Sequence, residues 1–334
     1  MQKTAFSILD LAVVSQGNSF KQTFVDSVEL AQFADSSNFK RYWLAEHHNS
    51  TAIGSSATVV LIGKILDSTK RIRVGSGGIM LPNHSPLVVA EQFGTLGTLH
   101  PNRVDLGLGR APGTDQQTAN AIRSDFHQAA MSFPSEVQKV QNYFSVDNAN
   151  QAVRANVAEG VDVPLFILGS STESARLASK KGLTYAFASH FASSQLFDAL
   201  DIYRSKFTPS KDLSQPYTIA GLSIIIADTD EEAAFLSSSY YMRVIGILTG
   251  NRGPLEPSFE MTDEFKRIIQ QPAVQQMAKY AFIGSKETVK RKIQSFIEET
   301  QVDEIIAVTH VYSFKDRLKS YTLLADIMEE LNIE

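Results

Sequence analysis

Short apolar runs alternate with longer amphipathic stretches along nearly the whole chain, and this alternation restricts the fold more than any other feature. The runs 6–14, 40–45 (KRYWLA), 71–78 (RIRVGSGG), 103–109 (RVDLGLG), 164–169 (PLFILG), 183–188, 218–227 and 304–309 read as strands. Asn18 or Ser19 caps a helix whose apolar positions Phe24, Val25, Val28, Leu30, Ala31 and Phe33 fall near helical spacing. Further helices are expected over 55–67, 85–99, 171–181 and 193–207, with one opening at Thr229 and a closing one over 315–331. Residues 116–144 read as helical material and 146–162 as an irregular connection. Repeated strand–helix units build a parallel sheet. Eight of them is the number that closes a (β/α)8 TIM barrel. The alternative is a doubly wound open sheet, which would normally carry a Gly-rich dinucleotide turn after its first strand. LAVVSQGNS is not G-x-G-x-x-G.

The 334 residues are read as one barrel domain, since such barrels often exceed about 250 residues as a unit. Residues 246–284, with GNRGPLEPSFE and QQPAVQQ, form a longer connection than helix-to-strand links usually need. They are expected to be an insertion: a mobile lid, an ordered element or an oligomer contact.

Composition removes several classes of function. With a net charge of −5 and no basic cluster, neither a nucleic-acid nor an anionic membrane partner is expected. The absence of cysteine excludes disulfides, thiolate metal sites, iron–sulfur clusters and a Cys nucleophile. No apolar run reaches the roughly 18 residues of a membrane span, and MQKTAFSILDLAVV lacks the pattern of a signal peptide. A cytoplasmic location is the expectation.

In such a barrel the active site lies among the loops after the strands, and unusual residues collect there. Strand two is followed by Glu46-His47-His48. Neighbouring side chains on an extended segment point to opposite sides, which argues against a metal held by both histidines. Each imidazole is either a structural group bonded to backbone or a proton donor and acceptor, its ordinary pKa being about 6.5. Strand three ends in Gly75-Ser76-Gly77-Gly78, which suits either a bulge or the close approach of a flat ligand. Arg110, after strand four, suits a phosphate or a surface carboxylate. Gly169-Ser170-Ser171 with Ser174 opens the helix after strand five. It is either an ordinary cap or an anion site at a helix start.

WLAEHHN (43–49), RVGSGGIMLPNHSPLVVAEQFGTL (73–96) and RVDLGLGRAPGTD (103–115) together resemble the luciferase-like monooxygenase superfamily of flavin-dependent barrels. LGSSTESARLASKKGL (168–183) and FIGSKETVKRKI (282–293) extend the resemblance through the second half. It implies that Glu46, His47 and His48 lie on the reactive face of the flavin ring, with His47 the catalytic base or proton donor. It also implies a non-proline cis peptide at Gly77–Gly78 beneath that ring. Arg110 would meet the FMN phosphate, with Gly169, Ser170, Ser171 and Ser174 completing the phosphate site.

The implied reaction uses reduced FMN and O2 to oxygenate a small organic substrate, with a flavin reductase as supplier of the cofactor and a homodimer as the assembly. Hydride transfer from a nicotinamide or a deazaflavin is the alternative chemistry, and flavin binding without turnover the non-enzymatic one. Luciferase carries a cysteine where this chain has Gly109, so light emission is not implied. The resemblance is weakest over 246–284, where substrate choice is expected to be written.

Overall fold

A computed structural model of the chain describes residues 3–333. Strands β1 (Ala5–Asp10), β2 (Arg41–Leu44), β3 (Arg73–Met80), β4 (Val104–Gly109), β5 (Leu165–Gly169), β6 (Thr184–Phe187) and β7 (Thr218–Ala227) pair in chain order, all parallel. After β8 (Ala281–Ser285), which stands outside the ring, β9 (Glu304–Val308) pairs with both β7 and β1 and closes an eight-stranded barrel. Helices cover its outside. Ser19 caps the first of them, Phe20–Ser36, by accepting from Gln22 N at 3.2 Å.

The differences from the expected elements have local causes. β1 stops at Asp10 because Ala12 takes a positive φ of 49°, after which only isolated bridges continue the pairing. Residues 116–144 break into three helices, Gln116–Ile122, Phe126–Met131 and Phe133–Phe144, the last with a proline in its first turn. β8 and the helix Lys286–Thr300 were not foreseen. β7 is ten residues long, and its outer half, Ser223–Ala227, pairs with β8 after its inner half has paired with β9.

Residues 246–284 are tied down at several points. The helix Asp230–Thr249 ends on Gly250 in the left-handed conformation that glycine tolerates. The chain then turns back so tightly that a Cβ on Gly246 would lie 2.4 Å from the Asn251 carbonyl oxygen. Ser239 Oγ donates to Glu256 O at 2.7 Å, and Leu255 N donates to Val14 O at 2.8 Å. The short helices Asp263–Ile269 and Pro272–Met277 bury Ile269 and Val274 against Tyr240 and Val244.

The interior of the barrel is organised by the two-residue period of its strands. Trp43 and Ala45 pack inward with Leu9, Phe166, Ile306 and Val308, whereas Tyr42 and Leu44 pack outward against the helices. At the bottom Arg41 reaches Asp105 Oδ2 and Glu304 Oε1, each at 2.7 Å. Arg73 also pairs with Asp105, and Tyr217 Oη donates to Glu304 Oε2 at 2.8 Å, so the two buried carboxylates of this network are held from more than one side. Above it the rings of Trp43 and Phe166 meet edge to face at 4.8 Å and plug the barrel. Continued upward, the row 41, 43, 45 arrives at His47, and the row 304, 306, 308 arrives at His310. Among the described residues no helix is long and apolar enough to cross a membrane.

Candidate active site

The strand period separates the Glu46-His47-His48 triplet. Glu46 and His48 share one side, directed at the loop after β3. Glu46 is buried, and its Oε1 accepts from His48 Nε2 at 2.8 Å, His84 Nε2 at 2.9 Å and Asn83 Nδ2 at 3.0 Å. Its Oε2 accepts from the Met80 backbone N–H at 3.0 Å. Burial by itself would raise this carboxyl. The hydrogen bonds from His48 and His84, with the His84 charge and Asn83, outweigh it and hold the group at about 2. The result is a fixed carboxylate that locks the loop after β2 to the loop after β3.

His47 points the other way. It is half-buried, and its buried Nδ1 has no hydrogen-bond partner among the described residues. Burial first, and then the charge of Arg243, lower its pKa to about 4. The ring is therefore neutral near pH 7 and is not spoken for by any structural hydrogen bond. The bonded, structural role falls to His48.

Two further histidines stand with it. His190 follows β6, is half-buried with its Nδ1 buried, and is lowered to about 4 by burial, by His47 and by Arg243. It lies over Gly221 so closely that a Cβ there would come within 2.3 Å of its Nδ1. His310, directly after β9, is lowered well below its ordinary value by burial, Arg243, Arg317 and His190. Its ring stacks on Tyr240 with centroids 6.5 Å apart and planes 11° from parallel. Sequence reasoning passed over both, although each stands at or just beyond the end of an expected strand, where Glu46 and Arg110 were sought. Arg243, inside the helix Asp230–Thr249, left no comparable signal.

The Gly77–Gly78 peptide is cis, and the β3–β4 register shifts between Ser76 and Ile79. A Cβ on Gly78 would lie 2.8 Å from Gly107 O, and one on Gly77 would lie 2.7 Å from Leu9 Cδ1 and 3.1 Å from Trp43 Cβ. The bulge, one of the two readings of this sequence, is present, and the close contacts at these glycines are with the protein's own atoms. Gly109 similarly leaves room for Met80, whose Sδ would be 2.9 Å from an added Cβ.

Arg110 and the serine segment lie at the ends of neighbouring strands, just beyond the paired residues Leu108 and Ile167. Arg110 is exposed and, among the described residues, has no ion-pair or hydrogen-bond partner. Ser170 is exposed, and Ser171 occupies the N-cap of Thr172–Lys181 without a side-chain cap bond. Ser174 is engaged elsewhere: its Oγ donates to Ser171 O at 2.7 Å and lies 3.1 Å from Tyr185 Oη. Gly169 makes room for it, since a Cβ there would sit 2.0 Å from that hydroxyl. The Thr172 N–H is also taken, by Gln195 Oε1 at 3.0 Å. The free groups beside Arg110 are thus Ser170 and Ser171.

Comparison with known proteins agrees with this architecture. The family model described as luciferase-like monooxygenase matches residues 4–304. A luciferase-like monooxygenase of Escherichia coli (strain K12) is 45% identical over 327 residues, covering 98% of each chain. The N-acetyl-S-alkylcysteine monooxygenase of Bacillus subtilis (strain 168) is 29% identical over 334 residues, covering 96% of this chain and 97% of its own. Among solved structures, apo-MsnO8 superposes with a TM-score of 0.89 at 30% identity, covering 98% of each chain. Two more distant structures share the fold alone. One is the oxygenating constituent of 3,6-diketocamphane monooxygenase from Pseudomonas putida in complex with FMN, with TM-score 0.70, 17% identity and 97% of each chain covered. The other is an F420-dependent secondary alcohol dehydrogenase, with TM-score 0.72, 14% identity, and 98% of this chain and 99% of that one covered. A match over most of the chain, with close relatives of nearly equal length, makes the protein a member of the luciferase-like monooxygenase family.

Proposed function

We propose that the barrel mouth binds FMN and uses its reduced form, with O2, to oxygenate a small organic substrate. One observation carries this reading: a partnerless arginine, Arg110, stands at the mouth that also holds His47, a neutral imidazole with no structural hydrogen bond. The residues fit a flavin on separate counts. The buried Nδ1 of His47 has no partner among the described residues, and the backbone at Gly77 and Gly78 stays bare because a Cβ would press on Leu9 or Gly107. Arg110, with the hydroxyls of Ser170 and Ser171, suits the phosphate.

When bound, reduced FMN supplies the electrons that let O2 deliver one oxygen atom to a substrate and the other to water. The protein's part is different. Arg110 fixes the phosphate end, and the Glu46 anchor holds the loops after β2 and β3 at a set spacing. His47, neutral near pH 7, accepts a proton as the oxygen transfer requires one to be taken up and returns it afterwards. The Trp43–Phe166 plug closes the barrel below and keeps water from entering through its floor.

The test is a titration of the purified protein with oxidised FMN in air and reduced FMN under argon, followed by absorbance. Binding that weakens about tenfold or more in Arg110→Ala supports the phosphate assignment. If neither redox form binds, the FMN reading fails and a deazaflavin takes its place. His47→Ala is expected to lose turnover while keeping FMN affinity within a few-fold; unchanged turnover would remove His47 from the chemistry.

A further inference from the structure

Among the described residues, each buried or half-buried arginine except one has a hydrogen-bond or ion-pair partner. Arg41 is paired with Asp105 and Glu304, and Arg317 with Asp10, in each case at 2.7 Å. Arg73, partly buried, is 2.7 Å from Asp105. Arg243 is half-buried and has no hydrogen-bond or ion-pair partner among the described residues. No carboxylate acts on it. Burial first, and then the charge of Arg252, lower it to about 10. Exposed Arg252, on the loop that turns back after the same helix, adds a second positive charge where a neutralising one would be expected.

The position of Arg243 is set by its neighbour one turn earlier. Residues three apart share a helix face, and Tyr240 stacks on His310 at the top of the barrel. Arg243 therefore lies on the face that covers the mouth, and its charge reaches His47, His190 and His310. All three imidazoles are neutral near pH 7 and would be like charges if protonated, so the counter-charge must come from elsewhere. A half-buried guanidinium that faces the mouth without a partner has its hydrogen-bond donors free for an anion there.

We propose that Arg243 binds the carboxylate of an organic-acid substrate, making the mouth selective for acids over their neutral analogues. This rests on the oxygenase reading above and names the substrate class for the same site. The planar fork of arginine matches a carboxylate with two parallel hydrogen bonds. The cofactor's phosphate has its own partner in Arg110, at the ends of β4 and β5, while Arg243 comes from the helix after β7. The one other source of negative charge at this place is the reduced flavin ring, and the experiment separates the two.

The probes are butyrate, hexanoate and octanoate, each against its primary amide, titrated calorimetrically into the protein with and without FMN. For wild type, at least one acid is expected to bind about tenfold or more tightly than its amide. Arg243→Met abolishes that preference and Arg243→Lys keeps part of it. Because Arg243 has no partner to lose, Arg243→Met is expected to melt at or above the wild-type temperature, which shows that the variant is folded. Equal binding of acid and amide across the series by wild type overturns the proposal, as does a preference that survives in Arg243→Met. Weakened reduced-FMN binding in Arg243→Met with the acid preference intact assigns the guanidinium to the flavin and also overturns it. An acid preference in a protein that binds no FMN leaves the carboxylate site standing while the oxygenase reading fails.

Discussion

His84 Nε2 lies 2.9 Å from one carboxylate oxygen of Glu46 and 3.0 Å from the other, so a single ring spans the anchor that joins the second and third strand loops. The carboxyl is held at about 2 against an ordinary 4.5. A depressed carboxyl contributes its stability in full above the unfolded value, and that contribution disappears as pH falls from about 4.5 towards 2. Glu46→Gln is accordingly expected to unfold at lower urea concentration at pH 7, by about 3 kcal/mol. The gap to wild type should narrow through that acid window. A gap that stays constant down to pH 2 would mean that Glu46 acts through packing and not through its charge.

The three mouth histidines give a second pH signature. His47 and His190 are held at about 4 and His310 well below its ordinary value, burial being the first cause in each case. A histidine depressed in the folded state favours folding above its unfolded pKa and loses that contribution as pH falls towards the folded one. These residues should therefore destabilise the protein between about pH 6.5 and pH 4. In proton NMR, three of the seven histidine C2–H signals are expected to hold still from pH 8 to 5.5. His47→Gln, His190→Gln and His310→Gln should each remove one of those signals. If all seven titrate near 6.5, the mouth is wetter than its geometry implies.

Much of the barrel was legible because its signal is local. Short apolar runs marked every ring strand, and Ser19 and Thr229 marked two helix starts that the side-chain caps reproduce. β8 was not legible: AFIGS is five residues long and pairs only with the far end of β7, a tertiary circumstance. At the mouth, the alternation that separates His47 from Glu46 and His48 is a property of the sequence. The partners of Glu46 are not. Asn83 and His84 reach it from another strand loop, and no spacing along the chain announces that. Ser174 shows the converse, since a hydroxyl at a helix start reads as an anion ligand whether or not a Tyr185 lies within 3.1 Å of it.

Arg110 should separate binding from stability. It is exposed and partnerless among the described residues, and surface substitutions of that kind usually change stability by less than about 0.5 kcal/mol. Arg110→Ala is expected to leave urea unfolding unchanged within that range while weakening FMN. The FMN-dependent rise in melting temperature should shrink with it, because a ligand stabilises only as far as it binds. A loss of intrinsic stability would point to a structural contact for Arg110 in place of a phosphate.

The two glycines under the mouth should not be equivalent. An added Cβ at Gly78 would meet Gly107 O at 2.8 Å, a backbone atom fixed by the β3–β4 ladder. At Gly77 the nearest atom, at 2.7 Å, is Leu9 Cδ1, the far end of a side chain that can turn. Overpacking of this kind costs about 1–3 kcal/mol, and the rigid neighbour sets the upper end. Gly78→Ala is therefore expected to unfold at clearly lower urea concentration than Gly77→Ala. Gly77 still has Trp43 Cβ and Cε3 at 3.1 and 3.2 Å, so its alanine variant pushes on the plug and should change tryptophan fluorescence, which has a single source in this chain. Equal losses in the two variants, with fluorescence unmoved, would show that the β4 backbone yields as readily as Leu9 does.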